Sequence, residues 1–156
     1  MPLRFNHMEL TLPQGSLDAT ARDEIGRFYG DLFGWQALEV PLLGQQALLL
    51  RSDEETSQFI LVAESRKPAE VPGYDHLGLL LDRRAEVDAV LERARAWRER
   101  DPRVELKEYE DLEQGDVTVH AFYVRYRLPV WFDVQCMEWR AGAAPARRWS
   151  YGSAPH

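Results

Sequence analysis

The chain has 156 residues, enough for one compact domain and few for two. Hydrophobic residues make up 45% of it and aromatic residues 11%, which excludes a disordered chain, and no apolar run reaches the roughly 20 residues of a membrane helix. The net charge of −7 excludes nucleic acid as the main partner, because phosphate binding requires a basic surface. Cys136 is the only cysteine, so an intrachain disulfide is impossible, and Met1–Phe5 lacks the features of a secretion signal. We therefore expect a globular protein of the cytoplasm, with neither a membrane nor a nucleic-acid partner.

The first predicted elements are a strand, a helix and three further strands. Residues Phe5–Leu12 are apolar at every second position, which is typical of a strand with one buried face, and His7 lies on the other face. A helix follows, because four apolar residues have helical spacing, and Gly34 is placed to end it. These four residues are Ile25, Phe28, Tyr29 and Leu32. The three strands are predicted over Trp35–Val40, Gln46–Arg51 and Gln58–Ala63.

The second half of the chain repeats this pattern. Residues Tyr74–Leu81 match Phe5–Leu12 position by position, and His76 takes the place of His7. A second apolar stripe predicts a helix, with Asp82 placed to cap its start. The stripe consists of Val87, Val90, Leu91 and Ala94. Three strands follow, predicted over Val104–Tyr109, Val117–Tyr126 and Val130–Trp139.

The repeat predicts an α+β domain built from two βαβββ modules in tandem. Module one covers residues 1–66 and module two covers residues 74–140. The linker between them, residues 67–73, contains two prolines and a glycine. The tail, residues 141–156, has no periodicity and is expected either to form an arm or to be partly disordered. Since each module alone is small for a stable core, we expect the two to pack as a single domain over residues 1–156.

Three segments carry a resemblance to a known superfamily. They are Phe5–Leu10, the helix end at Phe28–Trp35, and Tyr74–Gly78. Together with the element order, they resemble the vicinal oxygen chelate superfamily, which includes glyoxalase I, fosfomycin-resistance transferases, bleomycin-resistance proteins and extradiol dioxygenases. The resemblance extends from Arg4 to Trp139. It implies that the modules form a cupped mixed sheet with the helices on the outside.

The resemblance also implies a metal site inside the cup. Its ligands would be His7, His76 and Glu138. The usual Asp-Pro-Asp-Gly-Asn turn before the glutamate is replaced here by Leu128–Asp133, and Leu61 stands where glyoxalase I has a fourth ligand. Members with three ligands therefore fit better than glyoxalase I. Two imidazoles and one carboxylate suit a divalent Mn, Fe, Ni or Zn ion that binds adjacent oxygens of a small molecule.

Three further residues are candidates for proton transfer. Glu9 lies two positions after His7 on the same face, as either an acid–base group or a solvated strand residue. His120 shares one strand face with Tyr126, and either this tyrosine or, less favourably, Tyr123 on the opposite face is its candidate partner. The alternative for His120 is a packed or surface histidine.

Three functional hypotheses follow. The first is a metal-dependent lyase, transferase or dioxygenase acting on a small oxygenated molecule. The second is a metal-free protein that binds a small molecule or an antibiotic, as bleomycin-resistance proteins do, and the absent fourth ligand favours it. A third is a dimerising partner or sensor in which the histidines are structural. In each case we expect a homodimer, in which the modules pair either within one chain or between two.

Overall fold

A computed structural model describes residues 5–146, and within them module one has the predicted βαβββ order and module two has the same order with one additional short strand. Module one comprises β1 (His7–Pro13), α1 (Ala19–Phe33), β2 (Gln36–Leu42), β3 (Gln45–Arg51) and β4 (Phe59–Ser65). Module two comprises β5 (His76–Leu81), α2 (Arg84–Arg100), β6 (Glu105–Glu108), β7 (Leu112–Gln114), β8 (Val117–Arg125) and β9 (Trp131–Trp139). The α+β class is confirmed. Strand β7 was not predicted, because it is a three-residue exposed strand that has no buried side chain to mark it.

Each module contributes one mixed sheet. The first sheet has the order β1-β4-β3-β2, and the second has the order β5-β9-β8-β6, with β7 also paired to β8. The first strand of each module runs parallel to the last, so that His7 is the register partner of Phe59 and His76 is the partner of Trp131. Within the described residues, β1 and β5 each have a single neighbouring strand and are therefore edge strands.

Local signals explain where the helices begin and end. The carboxylate of Asp18 accepts a hydrogen bond from the backbone N–H of Ala21 at 2.8 Å and caps α1. Gly34 ends α1 in the left-handed conformation, with φ of 73°. The prediction that Asp82 caps α2 is wrong. The cap is Arg83, whose backbone N–H donates to the Glu86 carboxylate at 3.1 Å.

The two modules share one hydrophobic core on the helix-covered faces of their sheets. Tyr29 of α1 donates a hydrogen bond from its hydroxyl to the backbone carbonyl of Tyr126 at 3.0 Å. Its ring also packs edge-on against Phe132 of β9, with centroids 5.1 Å apart. The opposite face of each sheet, away from the helices, bears His7 in the first sheet and His76 in the second. We call it the outer face.

Part of the predicted tail lies outside the described residues. These positions include Trp149 and His156, which the structure does not describe. Among the helices that it describes, neither is long and apolar enough to cross a membrane.

Candidate metal site

The outer face of the second sheet carries a histidine and a buried carboxylate side by side. Register partners in a parallel pair point to the same face, so His76 shares its face with Trp131 and, two positions along β9, with Asp133. The Nε2 atom of His76 lies 3.6 Å from Oδ2 of Asp133. Asp133 is only 6% exposed, whereas His76 is accessible from the outer face. Asp133 was not among the ligands predicted from the sequence.

The Asp133 carboxylate lacks the partners that a buried carboxylate normally has. Its Oδ1 atom is buried without a hydrogen-bond partner among the described residues. Burial raises the pKa of Asp133, and the nearby His76 opposes that shift. A buried acceptor without a donor is costly unless a cation or a donor reaches it. This oxygen therefore fits the role of a metal ligand.

Both candidate histidines are oriented through Nδ1. In His76 this atom lies 2.9 Å from the backbone carbonyl oxygen of Tyr74, and in His7 it lies 2.8 Å from Oδ1 of Asn6. When Nδ1–H donates to such an acceptor, the neutral ring carries its lone pair on Nε2. Metal-binding histidines are held in this way. In both modules the histidine is thus held through Nδ1, which leaves the lone pair of Nε2 available to a metal ion.

His7 lies on the outer face of the first sheet. Its ring stacks on Phe59 of β4, with centroids 4.8 Å apart and planes 8° apart. Glu9 shares this face and is exposed, opposite Leu61 in the register with β4. The predicted placement of Glu9 beside His7 agrees with the strand geometry.

The structure does not bring Glu138 to the histidines. Glu138 lies seven residues beyond Trp131, the partner of His76, which corresponds to about 23 Å along a strand. It also faces the other way, since its carboxylate accepts hydrogen bonds from Arg84 of α2 at 2.6 and 3.1 Å. This arginine lowers the pKa of Glu138. Glu138 was predicted to be a ligand because it shares a strand face with buried residues. That face is the core face, which packs against α2, so the assignment of Glu138 needs correction.

His120 and Tyr126 also lie on the core side of the second sheet, away from His76. The two ring nitrogens of His120 each lie 2.8 Å from a carboxylate, that of Asp88 on one side and that of Asp111 on the other. Tyr126 is buried, and its hydroxyl donates to Asp101 at 2.8 Å. These contacts make both residues part of the packing between helix and sheet, and neither reaches the outer face.

Tyr123, the less favoured tyrosine, is the one that lies beside His76. It is the register partner of Asp133, and its ring centroid is 4.7 Å from that of His76. Burial, followed by the charge of Asp133, raises the pKa of Tyr123, so the phenol is protonated at neutral pH. Tyr123 and His120 lie three positions apart on β8 and therefore point to opposite faces of the sheet. This alternation is the feature of the sequence that indicated the position of Tyr123.

One chain supplies an incomplete ligand set. Among residues 5–146, no three His, Cys, Asp or Glu side chains come together as a group that holds a metal ion. His76 and Asp133 form a pair on the second sheet, and His7 lies on the first.

A cavity of about 430 Å³ lies between the two edge strands. It is bordered by His7 and Met8 from β1 and by Leu77 and Leu79 from β5. The indole of Trp35 contributes to its mostly apolar lining.

No protein-family model and no curated protein matches the sequence. Solved structures do match. The chain is similar to the genomically encoded fosfomycin resistance protein FosX of Listeria monocytogenes, with 18% identity over 87% of this chain and 92% of that chain, at a TM-score of 0.58. It is also similar to lactoylglutathione lyase of Agrobacterium tumefaciens, with 18% identity over 87% and 95%, at a TM-score of 0.55. The chain has the vicinal oxygen chelate fold.

A second structure of the Listeria protein, a mutant complexed with Mn(II) and 1S,2S-dihydroxypropylphosphonic acid, matches this chain with 15% identity over 86% of this chain and 92% of that chain, at a TM-score of 0.57. The predicted resemblance is thus confirmed for the fold. Identities this low do not carry a reaction or a substrate from one protein to another.

Proposed function

We propose that this protein binds a divalent metal ion through His76 and Asp133 of one copy and His7 of a second copy. The single observation that carries the proposal is the buried Asp133 carboxylate, which has an unpartnered oxygen beside His76. A set of two imidazoles and one carboxylate leaves coordination positions open on Mn²⁺, Fe²⁺, Ni²⁺ or Zn²⁺. When bound, such an ion binds two adjacent oxygens of a small molecule and stabilises negative charge on them.

The second copy follows from the separation of the ligands. His7 and the His76–Asp133 pair belong to different sheets of the chain, and no three-ligand group forms among the described residues. Both ligand-bearing first strands, β1 and β5, are edge strands with free backbone groups on one side. A homodimer in which β1 of one copy lies beside β5 of the other would cover both edges and complete two equivalent sites.

The remaining outer-face residues have roles consistent with lyase, transferase or dioxygenase chemistry. The Tyr123 phenol, protonated at neutral pH, donates a hydrogen bond to an oxygen of the bound molecule. Glu9, exposed on the face of His7, accepts a proton from that molecule. The Tyr74 carbonyl keeps the His76 ring in its binding orientation.

The metal content of protein purified without a histidine tag tests the proposal. Elemental mass spectrometry is expected to find about one equivalent of a transition metal per chain, and His7→Ala and His76→Ala are each expected to lose it. Retention of metal by either variant would refute the ligand set.

A heterodimer of the two variants tests whether the site is shared. If each site combines His7 of one copy with His76 of the other, a heterodimer of His7→Ala and His76→Ala contains one intact site. Co-expression with two different tags, removed after purification, is then expected to restore half of the wild-type metal content. A heterodimer without metal would show that the ligands come from one chain.

A metal-free binding function is the second candidate, and the apolar cavity between β1 and β5 favours it. Trp35 lines this cavity, so a bound aromatic molecule would quench its fluorescence. Quenching that is unchanged by chelators and by His76→Ala would support a binding protein over an enzyme.

A further inference from the structure

A carboxamide lies next to Asp133 on the outer face of the second sheet. Gln135 is two residues after Asp133 on β9, so both side chains point to the outer face, with about 7 Å between their backbone positions. The Gln135 side chain is half-buried. Its carboxamide carries one acceptor oxygen and two N–H donors. One small molecule bound at Asp133 can therefore also reach this group.

The absence of a side chain at Gly78 makes room for this carboxamide. Gly78 of β5 is the register partner of Asp133 and lies two residues after His76 on the same face. A Cβ atom added at Gly78 would lie 3.3 Å from Nε2 of Gln135, and no other atom of a non-neighbouring residue, among those that the structure describes, lies within 4 Å of that position. The carboxamide therefore extends from β9 over the glycine, beside the His76–Asp133 pair.

The side chains around the Gln135 carboxamide are mostly apolar. Its register partners are Leu80 of β5 and Ala121 of β8, and neither side chain has a polar atom. Met137, the next residue of β9 on the same face, is apolar as well. On the other side lies Asp133, whose Oδ1 atom has no hydrogen-bond partner among residues 5–146, so the carboxamide does not satisfy it. The carboxamide thus retains its donors and its acceptor for a bound molecule.

We propose that Gln135 binds a third polar group of the substrate and makes the site selective for molecules in which a hydroxyl lies next to the two metal-bound oxygens. This inference rests on the proposed metal site, which would hold those two oxygens at His76 and Asp133. A hydroxyl both donates and accepts hydrogen bonds, as a carboxamide does, so either orientation of the Gln135 amide can pair with it. A molecule without that hydroxyl would lose this hydrogen bond.

Two probes that differ by one hydroxyl test the inference. Catechol has two adjacent hydroxyls, and pyrogallol has the same ring with a third hydroxyl beside them. Isothermal titration of the Mn(II)-loaded protein under argon gives the ratio of the pyrogallol affinity to the catechol affinity. Gln135→Met removes the carboxamide but keeps an unbranched side chain of similar length. It is expected to lower this ratio about fivefold, which corresponds to about 1 kcal/mol for one hydrogen bond, and to leave the affinity for catechol unchanged.

Gly78→Ala tests the position of the carboxamide without removing it. The new methyl group would displace Nε2 of Gln135, so this variant is expected to lower the affinity ratio in the same direction. Because both changes act through one side chain, the double variant Gly78→Ala/Gln135→Met is expected to have the same ratio as Gln135→Met alone. A further fall in the double variant would show that Gly78 acts independently of Gln135 and would overturn the inferred arrangement.

Gln114→Met is the matched control for the loss of a carboxamide. Gln114 of β7 lies on the outer face of the same sheet, because its register partner Val117 is also the partner of Trp139, but it is far from Asp133. This variant is expected to keep the wild-type affinity ratio. An unchanged ratio in Gln135→Met, an equal fall in Gln114→Met, or no binding of either probe to the wild type at millimolar concentration would overturn the inference.

The metal content of each sample distinguishes failure of this inference from failure of the proposed function. Protein that binds no Mn(II) refutes the proposed metal site, and the inference about Gln135 is then refuted with it. Protein that binds Mn(II) and both probes, but whose affinity ratio does not depend on Gln135, refutes the role of Gln135 alone.

Discussion

Replacement of Asp133 by leucine is expected to stabilise the metal-free protein and to abolish metal binding. The aspartate is 6% exposed, and its Oδ1 atom is buried without a partner among the described residues. Such a polar group lowers the free energy of unfolding by about 1–3 kcal/mol. Leucine has a similar branched shape and no polar atom, and the rings of His76 and Tyr123 would contact it. We therefore expect Asp133→Leu to raise the free energy of unfolding by about 1–3 kcal/mol.

Urea denaturation in the presence of a chelator measures this effect. The wild type and the variant are compared at one protein concentration, because the proposed homodimer would make stability depend on concentration. Glu138→Leu is the matched control on the same strand, and we expect it to lower stability slightly, since it removes the hydrogen bonds from Arg84. A loss of stability in Asp133→Leu would refute the reasoning that this carboxylate is kept for binding.

Three further predictions concern the framework around the site. Tyr29→Phe leaves the backbone carbonyl of Tyr126 without its buried donor and is expected to lower the free energy of unfolding by about 1–3 kcal/mol. Unfolding is expected to occur in a single transition, and two separate transitions would contradict the core that the modules share. Asp101→Asn is expected to lower stability at neutral pH, because Arg103 and Tyr126 hold the pKa of Asp101 below its ordinary value of 3.8. The stabilisation by Asp101 is present above that ordinary pKa and is lost as the pH falls through the lower native pKa. Urea titrations from neutral to acid pH should therefore show that the difference in free energy of unfolding between the wild type and Asp101→Asn closes. A difference that grows in acid would contradict this reasoning. Gly34→Ala, at φ of 73°, is expected to cost about 1 kcal/mol in the same assay, and an unchanged value would contradict the need for a left-handed residue there.

The fold could be predicted because its signals are local and repeated. The alternation around His7 and His76 and the two apolar stripes identify strand and helix without knowledge of the tertiary structure. Errors at the ends are small: β1 begins at His7 rather than at Phe5, because its register with β4 begins at that residue. The short strand β7 has no such pattern, since all three of its side chains are exposed.

The site could be predicted only in part. Alternation along a strand separates its two faces, but it does not say which face is covered by a helix and which one bears the site. The faces of His7 and His76 could be predicted, because the apolar residues of their own strands lie at alternate positions and therefore point to the opposite face. Glu138 shares its parity with buried residues, and a strand face covered by a helix has the same pattern as one that lines a pocket. The choice of Asp133 depends on the register between β5 and β9, which the sequence does not encode locally.

The affinity of Mn(II) for two paired variants tests the central claim most directly. Asp133→Asn and Glu138→Gln each remove one negative charge from β9, on opposite faces of the second sheet. Equilibrium dialysis is expected to show that Glu138→Gln binds Mn(II) like the wild type and that Asp133→Asn binds it at least tenfold more weakly. Weak binding by Glu138→Gln together with normal binding by Asp133→Asn would contradict the account and restore Glu138 as the ligand.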